Sequence, residues 1–208
     1  MKLEPALDAC GIIAILRGVT PSEVIAVTQT LYEAGVRIVE VPLNSPEPFA
    51  SIELLAKNFA DKMVVGAGTV LSEQDVNLLK EHGGQISVSP DCNPATIARA
   101  VALGLEPLPG VFTPTEAFAA IRAGAKHLKL FPAEAASPLT IKAWKAVLPK
   151  HVQIHAVGGV TPENMKDWLT AGATGFGIGS ALYKQGMALS KISESAHRLV
   201  VAWKNAKL

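Results

Sequence analysis

A lysine sits near the end of an apolar run in this chain, His127-Leu128-Lys129-Leu130-Phe131-Pro132. Lysine is rarely fully buried unless it is paired or working. If both faces of such a strand are covered, desolvation lowers the amine pKa. A neutral amine is a nucleophile toward carbonyls. Glu40, in Val39-Glu40-Val41-Pro42, is the matching acid/base. An amine forming an iminium needs a proton shuttle, and burial raises a carboxyl toward neutral pKa. Two structural alternatives compete with the chemical reading. The run could have one wet face, carrying His127 and Lys129 outward. Glu40 could make an ion pair to Lys129 or Arg17 with no chemistry. A permanent tight pair would keep the lysine charged, so the chemistry prefers a water or a small gap between the groups.

Three further residues could hold a small acid. Arg17 closes Ile13-Ala14-Ile15-Leu16-Arg17-Gly18 and has the planar fork that binds a carboxylate bidentately. A surface arginine at a strand mouth is the competing account. Thr69, in Gly66-Ala67-Gly68-Thr69, could give a hydroxyl to the same carboxylate, and its glycines allow close backbone approach. Phe131 follows Lys129 with one residue between and could pack on a ligand or fill the core. Glycine loops recur at Gly158-Gly159 and Gly177-Ile178-Gly179-Ser180. Backbone N–H groups in such loops reach a phosphate without side-chain obstruction.

The elements that must position these residues show one repeated pattern: an apolar run, a helical segment, a glycine, another run. The runs are 12–16, 38–43, 63–65, 85–88, 105–108, 127–131, 153–157 and 174–178. Continuous apolar strands alternating with helices indicate a parallel sheet covered on both faces. Eight such units predict a single (β/α)8 TIM barrel over residues 1–208, with a short N-terminal helix at 3–9 plugging its floor. Thr20-Pro21-Ser22-Glu23 and Thr113-Pro114-Thr115-Glu116 read as helix caps, and Thr161-Pro162-Glu163 as a weaker copy. Val24, Val27 and Leu31 form an inward stripe. Gly35, Gly104, Gly124 and Gly172 read as helix stops. Glu40, Lys129 and Gly177 each lie five residues after such a stop, in the second, sixth and eighth runs. Alternate strands build one interior layer, so Glu40 and Lys129 should share a layer at the carboxyl end, where barrel active sites lie. A one-residue slip in register would undo this.

Composition narrows the function. The chain has 208 residues, is 49 % apolar and carries net charge +1, which suits a globular protein. No basic run with interleaved aromatics suggests nucleic acid, and no apolar run is long enough for a membrane span. No signal-peptide core is seen, and Cys10 and Cys92 show no paired spacing, so a reducing cytoplasm is expected. His82, His127, His151, His155 and His197 form no ligand set, so neither a metal nor another cofactor is expected.

Taken in order, several segments make the chain similar to a known family over nearly its full length. They are Val39-Glu40-Val41, Gly66-Ala67-Gly68-Thr69-Val70, Ser89-Pro90, Leu128-Lys129-Leu130-Phe131-Pro132-Ala133-Glu134, Gly158-Gly159-Val160 and Gly179-Ser180. The chain resembles the bacterial 2-keto-3-deoxy-6-phosphogluconate/6-phosphogalactonate aldolases. The resemblance implies a Schiff-base (class I) aldolase, assembled as a homotrimer and acting on a phosphorylated keto-deoxy sugar acid. It implies Lys129 as the imine former and Glu40 as the proton shuttle. Thr69, Pro90 and Phe131 match positions around a pyruvate moiety, and Gly158, Gly159, Gly179 and Ser180 match the phosphate site. Gluconate-type members carry Arg four residues after the glutamate and Thr before Gly-Gly. Here Asn44 and Val157 stand there, which resembles the galactonate branch and leaves Arg17 as the substitute carboxylate holder. The expected reaction is cleavage of 2-dehydro-3-deoxy-6-phosphogalactonate to pyruvate and D-glyceraldehyde 3-phosphate. The gluconate epimer and 4-hydroxy-2-oxoglutarate are the nearest alternatives. A phosphate-binding barrel isomerase or synthase, with Lys129 as acid/base only, is an alternative of another class. A non-catalytic phosphosugar binder is a third.

Overall fold

A computed structural model of the chain describes residues 1–207. Its strands are β1 (Ile12–Ile15), β2 (Ile38–Pro42), β3 (Val64–Gly68), β4 (Ile86–Val88), β5 (Glu106–Leu108), β6 (Gly110–Val111), β7 (His127–Leu130), β8 (Gln153–Val157) and β9 (Gly175–Ile178). All pairings are parallel, in the order β5-β4-β3-β2-β1-β9-β8-β7-β6. The two ends of that order are one stave of the barrel. β5 pairs with β4 and β6 with β7, and only Pro109 separates them. Pro107 and Pro109 supply no N–H to a ladder. Gly110 passes so close to Pro90 that a Cβ would lie 2.2 Å from its carbonyl oxygen. The barrel therefore has eight staves, as the sequence pattern predicts, with the fifth bent in the middle.

Helices α2 (Val24–Ala34), α3 (Pro48–Phe59), α4 (Glu73–Glu81), α5 (Pro94–Ala102), α6 (Pro114–Arg122), α7 (Pro138–Lys145), α8 (Met165–Thr170) and α9 (Leu189–Lys207) alternate with the strands. Val24, Val27 and Leu31 are buried, each burial stabilising by about 1.5–3 kcal/mol. Trp203 of α9 packs on Gly11, where a Cβ would lie 2.2 Å from the indole, and meets Phe176 edge-on. The sheet divides the apolar side chains into two clusters. The larger joins helix residues to outward strand residues such as Val39, Val41, Leu128 and Leu130. The smaller fills the barrel: Leu3, Ala6 and Leu7 of α1 (Leu3–Ala9) meet Ile13, Ile38, Val64, Ile86, Val88 and Leu108. The N-terminal helix is thus the floor plug.

Three local expectations need correction. β3 continues through Gly66-Ala67-Gly68 rather than stopping at Val65, because Ile86 and Glu40 occupy the space its missing side chains leave. The Thr20 segment makes a turn before the helix: Glu23 accepts the Thr20 N–H at 3.1 Å, and α2 starts at Val24. The Thr161 segment behaves alike, with Asn164 accepting the Thr161 N–H at 2.9 Å. Thr113 and Glu116 do form a reciprocal capping box. Gly35 ends α2 at φ 109, in the left-handed region that glycine adopts without strain.

Candidate active site

Period-two alternation in β2 and β7 sends Val39, Val41, Leu128 and Leu130 to the helices, and Glu40, His127 and Lys129 into the barrel. Glu40 is 2 % exposed and Lys129 8 %. A wet outer face for Lys129 is excluded. No hydrogen bond joins the two groups, and Glu40 Oε2 is buried without a partner. Burial is the largest influence on both. It lowers the Lys129 pKa from its ordinary value, with Glu40 opposing and Arg17 reinforcing. It raises Glu40 to about 7 against the pull of Lys129 and Arg17. Lys129 Nζ lies 4.5 Å from the centre of the Phe131 ring. This separated arrangement weakens the charged form of each group. It leaves an amine able to attack and a carboxyl able to donate and accept protons near neutrality.

Below this layer, His127 and His155 stack with ring centres 5.4 Å apart, and His127 Nδ1 meets His155 Nε2 at 3.1 Å. Glu4 of the plug reaches His127 Nε2 at 3.4 Å. Burial lowers the pKa of both imidazoles, so the layer under Lys129 carries no added positive charge at neutral pH.

Above it, at the carboxyl ends of the strands, an open cavity of about 580 Å³ begins. Ile15, Val157 and Gly177 line both this cavity and the inner void that holds Glu40, Lys129 and His155. Of the residues singled out from sequence, Arg17, Phe131, Val157, Gly158, Gly159, Gly179 and Ser180 come together on the cavity wall. Arg17 is exposed there and donates from Nη1 to Asn44 Oδ1 at 2.5 Å. Gly158 and Gly159 have φ 108 and 67, a turn that suits successive glycines. Gly179 starts a single helical turn, its carbonyl accepting from Leu182 and Tyr183 at 2.8 and 3.0 Å. The first N–H groups of such a turn have no partner inside it and suit an anion.

Thr69 and Pro90 are not in the lining of this outer cavity; Thr69 directly follows Gly68, the strand residue against which the Glu40 carboxylate lies. Thr69 holds φ 57, a strained conformation for a residue with a branched Cβ. Sequence reasoning missed Glu134, Lys184 and Gln185, which also line the cavity. Lys184 and Gln185 follow directly on the turn begun at Gly179, a spacing that could have indicated them. Among the described residues, no group of three or more His, Cys, Asp or Glu side chains is placed to hold a metal ion. Among the described residues, no helix is long and apolar enough to cross a membrane.

A family profile described as KDPG and KHG aldolase matches residues 3–195. The 2-dehydro-3-deoxy-6-phosphogalactonate aldolase of Escherichia coli K12 is 45 % identical over 195 residues, 94 % of this chain and 95 % of that protein. A probable 2-dehydro-3-deoxy-6-phosphogalactonate aldolase of Rhizobium meliloti is 46 % identical over 192 residues, 92 % of this chain and 91 % of its own length. A solved structure described as native KDPGal superimposes with a TM-score of 0.93 at 45 % identity, covering 94 % of this chain and 95 % of the other.

Proposed function

The chain belongs to the KDPG and KHG aldolase family, and from that membership we propose that it cleaves 2-dehydro-3-deoxy-6-phosphogalactonate to pyruvate and D-glyceraldehyde 3-phosphate through an imine on Lys129. The observation that carries this reading is a lysine 8 % exposed inside the barrel, near a carboxyl 2 % exposed that does not pair with it. The lone pair of Nζ attacks the C2 ketone to give a carbinolamine. Glu40 gives a proton to the departing hydroxyl, water leaves, and the iminium forms. That iminium is an electron sink. When the C4 hydroxyl loses its proton, the C3–C4 bond breaks, its electron pair passes into an enamine and the aldehyde departs. Protonation at C3 and hydrolysis release pyruvate and restore the amine.

Arg17, held by Asn44, takes the substrate carboxylate with Thr69, and Phe131 and Pro90 flank the pyruvate portion. Gly158, Gly159, Gly179 and Ser180 line the phosphate end of the cavity, and the Gly179-Ser180 turn offers its free backbone N–H groups to the anion. Val157 and Asn44 favour the galactonate epimer, since neither supplies what the gluconate branch has at these positions. We read the whole chain as one catalytic domain working as a cytoplasmic homotrimer. The free thiols Cys10 and Cys92 and the exposed apolar Leu71, Phe112 and Leu139 suit this assembly and setting.

Borohydride reduction with pyruvate tests the proposal. A stable adduct mapped by mass to Lys129, absent in Lys129→Ala, is expected. Turnover without any adduct would support the isomerase or synthase class, in which the amine never bonds to carbon.

A further inference from the structure

Glu134 enters the cavity from an unexpected direction. It lies in the short 3-10 turn Ala133–Ala135 that follows β7, five residues after Lys129. Its side chain crosses the Gly158-Gly159 turn. A Cβ on Gly158 would lie 1.7 Å from Glu134 Oε2, and one on Gly159 would lie 2.9 Å from Glu134 Cβ. The glycines therefore make room for this carboxylate as well as for a ligand. Among the described residues lining the cavity, Glu134 is the acidic one, whereas Arg17 and Lys184 are cationic.

An ionised carboxylate only accepts hydrogen bonds. It repels a phosphate dianion and attracts a hydroxyl. The cavity is thus polarised, with its negative pole over Gly158 and a positive one at Lys184, close after the Gly179 turn. Along β8 the inner void ends at Val157, and Glu134 stands one residue further out. In a substrate of the class proposed above, the group one carbon beyond the scissile bond is the C5 hydroxyl.

We propose that Glu134 is a specificity-determining residue whose carboxylate accepts the hydrogen bond of the substrate C5 hydroxyl, leaving the phosphate to the Gly179-Ser180 turn beside Lys184. This rests on the aldolase reading. The C5 hydroxyl becomes the 2-hydroxyl of the aldehyde product, so the synthetic direction isolates it.

The test compares D-glyceraldehyde 3-phosphate with 3-phosphopropanal, which lacks that hydroxyl, as acceptors for pyruvate in wild-type protein, Glu134→Gln and Glu134→Ala. Wild-type protein should favour the hydroxylated aldehyde in kcat/KM. The preference should fall about ten- to hundred-fold in Glu134→Ala, the range expected for a hydrogen bond to a charged group, and less in Glu134→Gln. An equal loss on both aldehydes would assign Glu134 to supporting the glycine turn and would overturn the proposal. So would an unchanged preference accompanied by tighter inhibition by inorganic phosphate, which would place the carboxylate at the anion site. Pyruvate–borohydride trapping on the same samples separates the two levels. An adduct on Lys129 with an unchanged preference sinks only the role of Glu134. No adduct in wild-type protein sinks the aldolase reading beneath it.

Discussion

Glu40 rests its carboxylate directly against Gly68: a Cβ there would lie 2.0 Å from Oε2 and 2.5 Å from Cδ. β3 supplies a bare backbone surface that fixes where the acid sits relative to Lys129. In Gly68→Ala the carboxyl must move by more than a bond length. Misplacement on that scale costs roughly a hundredfold in rate. Steady-state kinetics should show kcat/KM reduced by at least about tenfold, with pyruvate adduct formation slowed in parallel. Wild-type kinetics in this variant would mean that the position of Glu40 is immaterial.

Glu40 also makes stability depend on pH. Its folded pKa is about 7 against an ordinary 4.5, so between these values the folded protein keeps a proton that the unfolded chain has released. Stability therefore falls as pH rises through this window, by up to about 3 kcal/mol at 1.36 kcal/mol per pH unit. Lys129 acts with the opposite sign, since the fold favours its neutral form. Denaturant midpoints measured across the window should decline for wild-type protein and stay nearly level for Glu40→Gln. Equal slopes would contradict the assignment.

The Arg17–Asn44 hydrogen bond at 2.5 Å predicts a binding effect without a chemical one. Asn44→Ala frees the guanidinium to sample solvent, and the KM for pyruvate in the synthetic direction should rise about three- to tenfold, the worth of one ordinary hydrogen bond. Asn44→Asp should raise it further by pairing with Arg17 and competing with the substrate carboxylate. A drop in kcat with KM unchanged would argue that Arg17 acts elsewhere.

Val157 lines both the inner void and the cavity and is 7 % exposed. Val157→Thr keeps the shape and adds a hydroxyl where the inner void opens into the cavity. The ratio of kcat/KM for the gluconate epimer to that for the galactonate epimer should rise about tenfold, because small pocket changes discriminate on that scale. A ratio that stays fixed would remove Val157 from the selection of epimer.

Much of the positioning was legible because barrel strands alternate strictly. Five residues counted from the stops at Gly35 and Gly124 placed Glu40 and Lys129 inside. The same alternation, carried two residues back from Lys129, puts His127 inward as well. What escaped depends on contacts distant in sequence. Gly66-Ala67-Gly68 lies past the apolar run at 63–65, and its pairing with Glu40–Pro42 of β2 makes it part of the strand. The bend at Pro109 was legible only in part: Pro107 and Pro109 are local, but the close approach of Gly110 to Pro90 involves residues distant in sequence. Glu134 reaches the cavity through a turn after β7, and Lys184 and Gln185 through one after β9, so strand periodicity does not indicate where they point. Thr69 was recognised by type, yet its left-handed backbone could not be anticipated for a residue with a branched side chain.

The apolar seal that Leu3, Ala6 and Leu7 form beneath Ile13 and Ile38 has a kinetic corollary. A vessel stoppered at its base must fill and empty through the same opening. In the reaction proposed for Lys129, the three-carbon acid bonded there cannot leave until the aldehyde above has cleared the way. Departure is therefore sequential, aldehyde first, and assembly in reverse must begin with the acid.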